Sequence, residues 1–567
     1  MDVHLQRNLN WATMAVHGFV DWKGNPINKK QHGGVRAACF IYFLVVMLNM
    51  AYVPNMLTLV TYLHGTMHTG VASSSTIVTN FIGATCAFAL LGAFLSDSYI
   101  SRLTTIFIFG PFELLGFGLL ALQAHFPSLH PPTCDPDAQS SNCRSVHGFN
   151  SILLYIALYT IALGEGCIRA SLASLGADQF DTDDPIESRQ WSSFFNWFTF
   201  GISSGAFSGL ILIVWLEDNK GWDIGFAVGA LLVLLGLLVL AFGFPYYRNQ
   251  RPQGSPLTRV LQVFVVAFKN RKLTFPETLE DVKQEDTSQE EVIPQTKDFK
   301  FLEKSSIYQG KAGGWSYCSI NQVEETKIIL RMIPVLISSI VAYITTPLLL
   351  TFSVQQGGTM NTRIGKIHIA PASLMLIPVT FQMIILVVYD QFFVPFARKI
   401  TGYTSGITSL QRIGIGFLFM PISTCVAALV EMKRKHYAEE HGEPMSVFWL
   451  SMQFFILGIN DVTNFVGLLE FFNGEVSRGM KSIGTAIFWC AIGLPSLLGS
   501  VLVNVVNKIS RNGDREGTGW LEGKTLNESQ LDKFYWLMSV IGVIAFFNYL
   551  VWARKYVYRH NPRISVS

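Results

Sequence analysis

The stretch ALLGAFLSDSYISRLTTIFIFGPFELLGFGLLALQAHF (residues 89–126) decides the fold. It is the end of one apolar run, a short charged step holding Asp97 and Arg102, and a second apolar run. A run of about 20 apolar residues is long enough for a helix to cross a bilayer. The stretch therefore predicts a chain that crosses, turns on a few polar residues and crosses back. Asp97 and Arg102 read as a charged hinge or gate between two helices, and short loops of glycine plus charge suit a rocking-bundle mechanism.

Moving outward from this stretch, similar runs recur along the chain. Six come first: Ala37–Leu63, Val71–Leu95, Thr104–Phe126, Phe149–Leu172, Ser192–Leu216 and Ile224–Phe244. A polar gap follows, and then Ile328–Phe352, Ala372–Pro395, Ile413–Val430, Val447–Phe472, Ile483–Val506 and Phe534–Val551. This pattern predicts an all-α integral membrane protein with 12 transmembrane helices in two six-helix bundles, and a substrate site between the halves. The expected parts are a cytoplasmic segment (1–36), an N-terminal bundle (37–247), a cytoplasmic linker (248–326), a C-terminal bundle (327–553) and a cytoplasmic tail (554–567).

Composition agrees. Only 14% of residues are charged while 50% are hydrophobic, against roughly a quarter charged in soluble domains. The surface is suited to lipid. The net charge of +3 gives no bulk attraction for nucleic acid. The eight cysteines show neither CxxC nor Cys/His spacing, so neither a metal site nor a cofactor is expected. The polar start, residues 1–30, is not a cleavable signal peptide, and the first apolar span should direct insertion.

Basic residues set the orientation. Arg248, Arg251, Arg259, Lys269, Arg271 and Lys272 lie in the gap, Lys29, Lys30 and Arg36 near the start, and Arg554, Lys555 and Arg559 in the tail. An even number of spans puts all three on one side, which the positive-inside rule makes cytoplasmic. Lys433-Arg434-Lys435 disagrees, because it falls in a loop on the other side. That outer side also holds Cys134 and Cys143, where a disulfide is chemically permitted, and the glycosylation sequon at Asn527. Within the gap, Leu257, Val260, Leu261, Phe264 and Phe268 have helical spacing and basic flanks, as in a helix lying on the membrane surface. Glu277–Glu303 is acidic and aperiodic, as in a disordered linker.

Ionisable groups inside spans are costly and are functional candidates by default. Glu165 and Arg169 stand four apart in the fourth span. They form either an internal bridge that lets Arg169 insert or a direct substrate or proton site. In the tenth span Gln453, Asn460, Thr463, Gly467 and Glu470 share a stripe, with Asp461 close to the opposite face. Ser73, Thr76 and Asn80 in the second span and Asn196, Thr199 and Ser203 in the fifth are spaced similarly, for a cavity or for helix-to-helix hydrogen bonds. Glu113 stands alone and takes a structural reading.

These motifs, and several more along the chain, resemble the plant nitrate and peptide transporter family, a branch of the proton-coupled oligopeptide transporters of the major facilitator superfamily. The matching stretches include GAFLSDSY (92–99), ALGEGCIRASLASLGADQFD (162–181), FFNWFTFGISSGA (194–206), YDQFFVPFARK (389–399), LQRIGIG (410–416) and GLLEFF (467–472). VWLEDNKGW (214–222) and VAALVEMKRK (426–435) look most like the subfamily that includes abscisic-acid importers. The resemblance implies a major facilitator fold and alternating access. It matches Arg169 to the family's fourth-helix cation, and Glu470 to a tenth-helix acid used for substrate or for a salt bridge across the halves. It also exposes departures. The family's first-helix E-x-x-E-R/K/N motif reads VVMLNM here, with Val45 and Leu48 at the acid positions and only Asn49 retained. Thr346 stands where a nitrate-linked histidine of the family would be, and NGEVSRGMKS (473–482) replaces an E-A-P sequence.

Val45, Leu48, Asn49 and Tyr52 share one helix face, and losing the two acids makes that wall apolar. The function expected is secondary transport of a small, largely apolar organic molecule, such as abscisic acid, a gibberellin or a specialised metabolite. Arg169 would meet its polar group, Glu470 would bind or gate, and Glu165 would be a substitute proton site. The alternatives are a proton-coupled nitrate transporter, an uncoupled facilitator and a ligand sensor without turnover. No catalytic constellation of HExxH or GxSxG type appears, so no enzyme is expected. The partners are then an organic substrate, the lipid bilayer and, where coupling survives, protons. The plasma membrane is the expected location, with the vacuolar membrane second.

Overall fold

Backbone N–H and C=O groups in hydrocarbon must be satisfied within the protein, and these apolar runs manage this as helices. The computed structural model describes residues 19–559 apart from 30, 70, 132–144, 183, 253, 274–294, 297, 308–314, 365–366, 369–373, 512–518, 522–525 and 528. Among the described residues, 12 helical spans are long and apolar enough to cross a membrane. The first half contains α1 (Gly34–Gly65), α2 (Val71–Ser98), α3 (Arg102–His125), α4 (Phe149–Ala177), α5 (Pro185–Asn219) and α6 (Trp222–Phe242). The linker contributes α7 (Pro256–Lys269). The second half contains α8 (Ile320–Tyr343), α9 (Thr345–Gly358), α10 (Leu376–Val388), α11 (Val394–Thr401), α12 (Ser409–His441), α13 (Leu450–Glu475), α14 (Lys481–Arg511) and α15 (Leu531–Lys555). The seventh span is broken at Ile344 into α8 and α9. The eighth joins α10 to α11 through a π-helical turn at Tyr389–Phe393.

In the first half α1 packs on α5 and α6, and α4 on α2 and α3. In the second, α12 packs on α13 and α15, and α10 on α13. Helices α2 and α4 meet α14 across the middle, as α5 meets α10. Lipid gives helices no hydrophobic reason to associate, so close approach of small residues does the work. On α5, a Cβ at Gly205 would lie 2.4 Å from the Val46 carbonyl oxygen of α1, and one at Gly209 would lie 2.4 Å from that of Met50. Because the obstruction is backbone, Gly205→Val is expected to prise α1 from α5 at a cost of about 1–3 kcal/mol or more. Gel filtration of a fluorescent fusion should show the monodisperse peak reduced or lost, and a full wild-type peak would refute this packing.

The face carrying the linker, here the linker face, is pinned by polar ties. Strand β1 (Phe19–Val20) pairs with β2 (Asn249–Gln250). Lys29 reaches Asp181 at 3.1 Å and Asp184 at 2.9 Å, and its hydrogen bond holds the Asp184 carboxyl below the usual carboxylate range. Arg248 proves not to be a free linker charge. It is buried, forked onto Glu187 at 2.7 and 3.1 Å, and crosses Gly33 where a Cβ would collide with its guanidinium.

Several boundaries differ from the expected ones, each for a visible reason. Helix α12 runs on to His441, past the expected end at Val430, because its charges find partners. Arg434 pairs with Glu431 at 2.7 Å and donates to Asn527 Oδ1 at 2.6 Å, Lys435 pairs with Asp532 at 2.9 Å, and Lys433 lies over the Trp449 ring. The cluster that offended the orientation rule is thus largely neutralised. The acidic linker is ordered at its far end, where Thr296 bonds Glu324 and Glu303 pairs with Lys327 at 2.8 Å. Most of that linker, Cys134 and Cys143 lie outside the described residues. Helix α7 buries Val263, Val266 and Ala267 against Leu302, Cys318 and Val323, while Leu257, Leu261, Phe264 and Phe268 face outward.

Candidate functional site

Helix α1 presents Val45, Leu48 and Asn49 to a narrow cavity. Its other walls are Glu165, Arg169 and Leu172 of α4, Phe198 and Ile202 of α5, and Trp489 of α14. Lined mainly by apolar groups, the cavity has a single cation. Asn49 spends its amide on the Val45 carbonyl at 2.9 Å, one turn back. Arg169 donates to Glu165 and lies between two rings, 4.6 Å from the Tyr52 centroid and 4.4 Å from that of Trp489. A desolvated guanidinium is held well by aromatic faces. Trp489 belongs to the other half, and its indole N–H donates to the Arg169 carbonyl at 3.3 Å. The cation is therefore roofed by a ring that would leave if the halves parted.

A second cluster joins the halves at α5, α10 and α12. Asp390, in the π-helical turn, accepts from Ser193 at 2.8 Å, Asn196 at 2.8 Å and Trp197 at 3.1 Å, all on α5. The extra backbone residue of a π turn re-aims the side chains around it. Arg412 donates to the Asn196 amide oxygen at 2.8 Å, stacks 4.1 Å over Tyr389 and reaches Glu470 at 3.8 Å. Glu470 thus pairs within its own half, and the cross-half bridge implied for it is not made in this conformation. Arg169 already has Glu165 as its counter-ion, and Glu470 has Arg412.

The third cluster latches the linker face. Asp97 and Arg102 pair at 3.0 Å, both buried. Arg102 also donates to Asp178, to the Arg478 carbonyl at 2.9 Å and to Ser482 at 2.9 Å. Lys481 reaches Asp178 at 3.0 Å, and Asp97 accepts the Ile483 N–H at 3.0 Å. Ser174, Thr485 and Asn473 close a triangle of hydrogen bonds beside them. Two carboxylates thus meet two cations, and most of these bonds cross from one half to the other.

Other predicted positions are not gathered here. Asn80 is exposed and lines a separate cavity between α2 and α4. Thr346 is buried, with its hydroxyl on the Met420 sulfur at 3.6 Å. Asn460 accepts from Asn464, Thr463 bonds the Ile459 carbonyl, and Gln453 reaches Ser353, so that stripe is occupied within its bundle. Thr199 and Ser203 bond their own helix backbone. Conversely, Trp489, Arg412, Asp390, Asp178 and Lys481 have central places that helical spacing does not reveal. Each acts across a gap of hundreds of residues. Asp390, as a charge inside the expected run Ala372–Pro395, carried the one usable signal.

Comparison with known proteins adds an independent line. A sequence profile described as the POT family matches residues 103–521. Protein NRT1/ PTR FAMILY 4.3 of Arabidopsis thaliana is 40% identical, covering 96% of this chain and 93% of the relative. Protein NRT1/ PTR FAMILY 4.4 of the same organism is 42% identical over 95% of this chain and 90% of its own length. Among solved structures, an auto-inhibited POT family peptide transporter superposes with a TM-score of 0.59 at 17% identity, covering 94% of this chain and 99% of that one. At that identity the likeness speaks for the fold.

Proposed function

This chain belongs to the POT family and, within it, to the NRT1/PTR family, and we propose that it carries a small, largely apolar organic anion by alternating access. That it is a multi-pass membrane transporter follows from the family and the fold. The substrate class is our inference. It rests on one observation: the cavity between the halves has apolar walls and one cation, Arg169, clasped by Tyr52 and Trp489. Abscisic acid and the gibberellins have the matching chemistry, a hydrocarbon body with one carboxylate. Nitrate has no apolar body to bury, and no histidine stands at Thr346.

In the proposed cycle the linker face, taken as cytoplasmic from its basic residues, is latched while substrate enters from the other side. The carboxylate meets Arg169 and competes with Glu165 for it, while Val45, Leu48 and Phe198 cover the hydrocarbon body. Rocking then pulls Trp489 away from Arg169 and parts Asp178 from Lys481, so the site opens toward the linker. The α5–α10 contact around Asp390 serves as a fulcrum. Plasma membrane is the proposed location.

The test is uptake by cells expressing the chain, using labelled abscisic acid, a gibberellin and nitrate, with and without a protonophore. Uptake of at least one hormone acid well above background, with nitrate at background, is expected. Nitrate uptake alone would overturn the proposal, and tight hormone binding without flux would make the protein a sensor. Uptake that collapses with the protonophore assigns proton coupling, whereas unchanged uptake makes the protein a facilitator.

A further inference from the structure

Beside the Arg169 site lies a carboxyl that its chemistry leaves unexplained. Glu113 of α3 is fully buried, and neither of its carboxyl oxygens has a hydrogen-bond partner. It stands where α3 and α4 come closest, since a Cβ at Gly164 would lie 2.5 Å from the Glu113 nitrogen and 2.7 Å from its Cβ. Gly164 directly precedes Glu165. Glu165 is equally buried and gives one oxygen to Arg169, while its other oxygen has no partner. The charged groups within electrostatic reach of Glu113 are Glu165 and Arg169, both on α4. On the α6 side, α3 meets apolar groups such as Leu237 at Gly110.

Two buried carboxylates therefore stand near one guanidinium, Glu165 bonded to it and Glu113 within reach of its field, while Arg169 itself borders the cavity. Ionising both would leave an uncompensated negative charge, which a buried acid avoids by keeping its proton. Two acids that feel each other hold one proton between them. We propose that Glu113 and Glu165 form a proton-binding pair behind Arg169, with the proton resting on Glu113 while the linker face is latched. This deepens the transport reading by supplying a proton site that Val45 and Leu48 cannot provide. One proton on Glu113 leaves Glu165 and Arg169 as a neutral pair. When an anionic substrate takes Arg169, charge balance then calls for a second proton on Glu165, and that proton would travel with the substrate.

The test is infrared spectroscopy of the purified full-length protein in lipid nanodiscs near neutral pH, in H₂O and D₂O. Wild type minus Glu113→Gln should show the C=O stretch of one protonated carboxylic acid, shifted by deuterium. Glu113→Asp should keep that band but move it, and Glu165→Gln should lose it, because Glu113 is then the one counter-charge left for Arg169. No band in the Glu113→Gln difference, or a band that Glu165→Gln leaves unchanged, would overturn the proposal. If Glu113→Gln yields no monodisperse protein, Glu113→Asp decides: an unmoved band places the proton elsewhere. No transported molecule enters the measurement, so its outcome is separate from that of the uptake panel.

Discussion

Asp178→Asn is expected to unlatch the linker face. Asp178 is the shared counter-ion of Arg102 and Lys481, and all three are buried. Without its charge, two cations are left facing Asp97 alone. Breaking a buried pair by removing one partner costs about 3–5 kcal/mol. The latched state bears that cost, whereas an open state hydrates both cations. At about 1.4 kcal/mol per decade, the latched population should fall by roughly two to three orders of magnitude relative to the open one. Spin labels at Tyr99 and Ile400, both exposed, report this as a shift to longer distances in double electron–electron resonance. In Asp178→Asn/Lys481→Gln only Arg102 and Asp97 remain charged, and the shift should be smaller. An unchanged distance distribution in Asp178→Asn would show that the latch rests on something else.

Arg169→Gln should abolish uptake of whichever organic acid the wild type carries. The variant loses the cavity's cation and leaves Glu165 buried without a counter-charge. Truncating one member of a buried charge pair costs about 2–5 kcal/mol, so uptake at low substrate should fall by about thirtyfold or more. Part of any loss could reflect poor folding, which Arg169→Gln/Glu165→Gln separates. That pair is uncharged and close in size, so expression should recover while uptake stays absent. Arg169→Lys keeps the charge but not the flat group that stacks between Tyr52 and Trp489, and it should restore only part of the activity. Near-normal uptake by the double variant would remove Arg169 from the site.

The parts of this protein legible in its sequence are those that depend on short-range regularities. Twelve apolar runs predict twelve spans, because a bilayer demands length and hydrophobicity and little else. The first-helix face was equally readable: Val45, Leu48 and Asn49 line the same cavity as Arg169, with Tyr52 stacked on its guanidinium. What could not be read is pairing over long separations. Spacing identifies Glu470 as a cavity candidate but cannot show that Arg412 is its neighbour. Glu113 reads as isolated along its helix, yet the closeness of α3 to α4 at Gly164 brings it beside Glu165. NGEVSRGMKS invites no conclusion as a string, but it supplies Lys481 and the Arg478 carbonyl to the latch. A helix outruns its apolar core where charges such as Arg434 and Lys435 find partners, which the apolar run alone does not reveal.

Helix α7 touches both halves, α8 most and α2 at its edge, and its outward stripe of Leu257, Leu261, Phe264 and Phe268 has Lys269 and Arg271 beside it. We propose that this amphipathic helix settles into the headgroup layer, where a basic residue typically gains about 1 kcal/mol from anionic lipid. The rocking halves would then drag a float that is moored to the membrane surface. Headgroup charge becomes a mechanical load on the cycle, so the same carrier should turn over at different speeds in leaflets of different composition, with no change in what it binds.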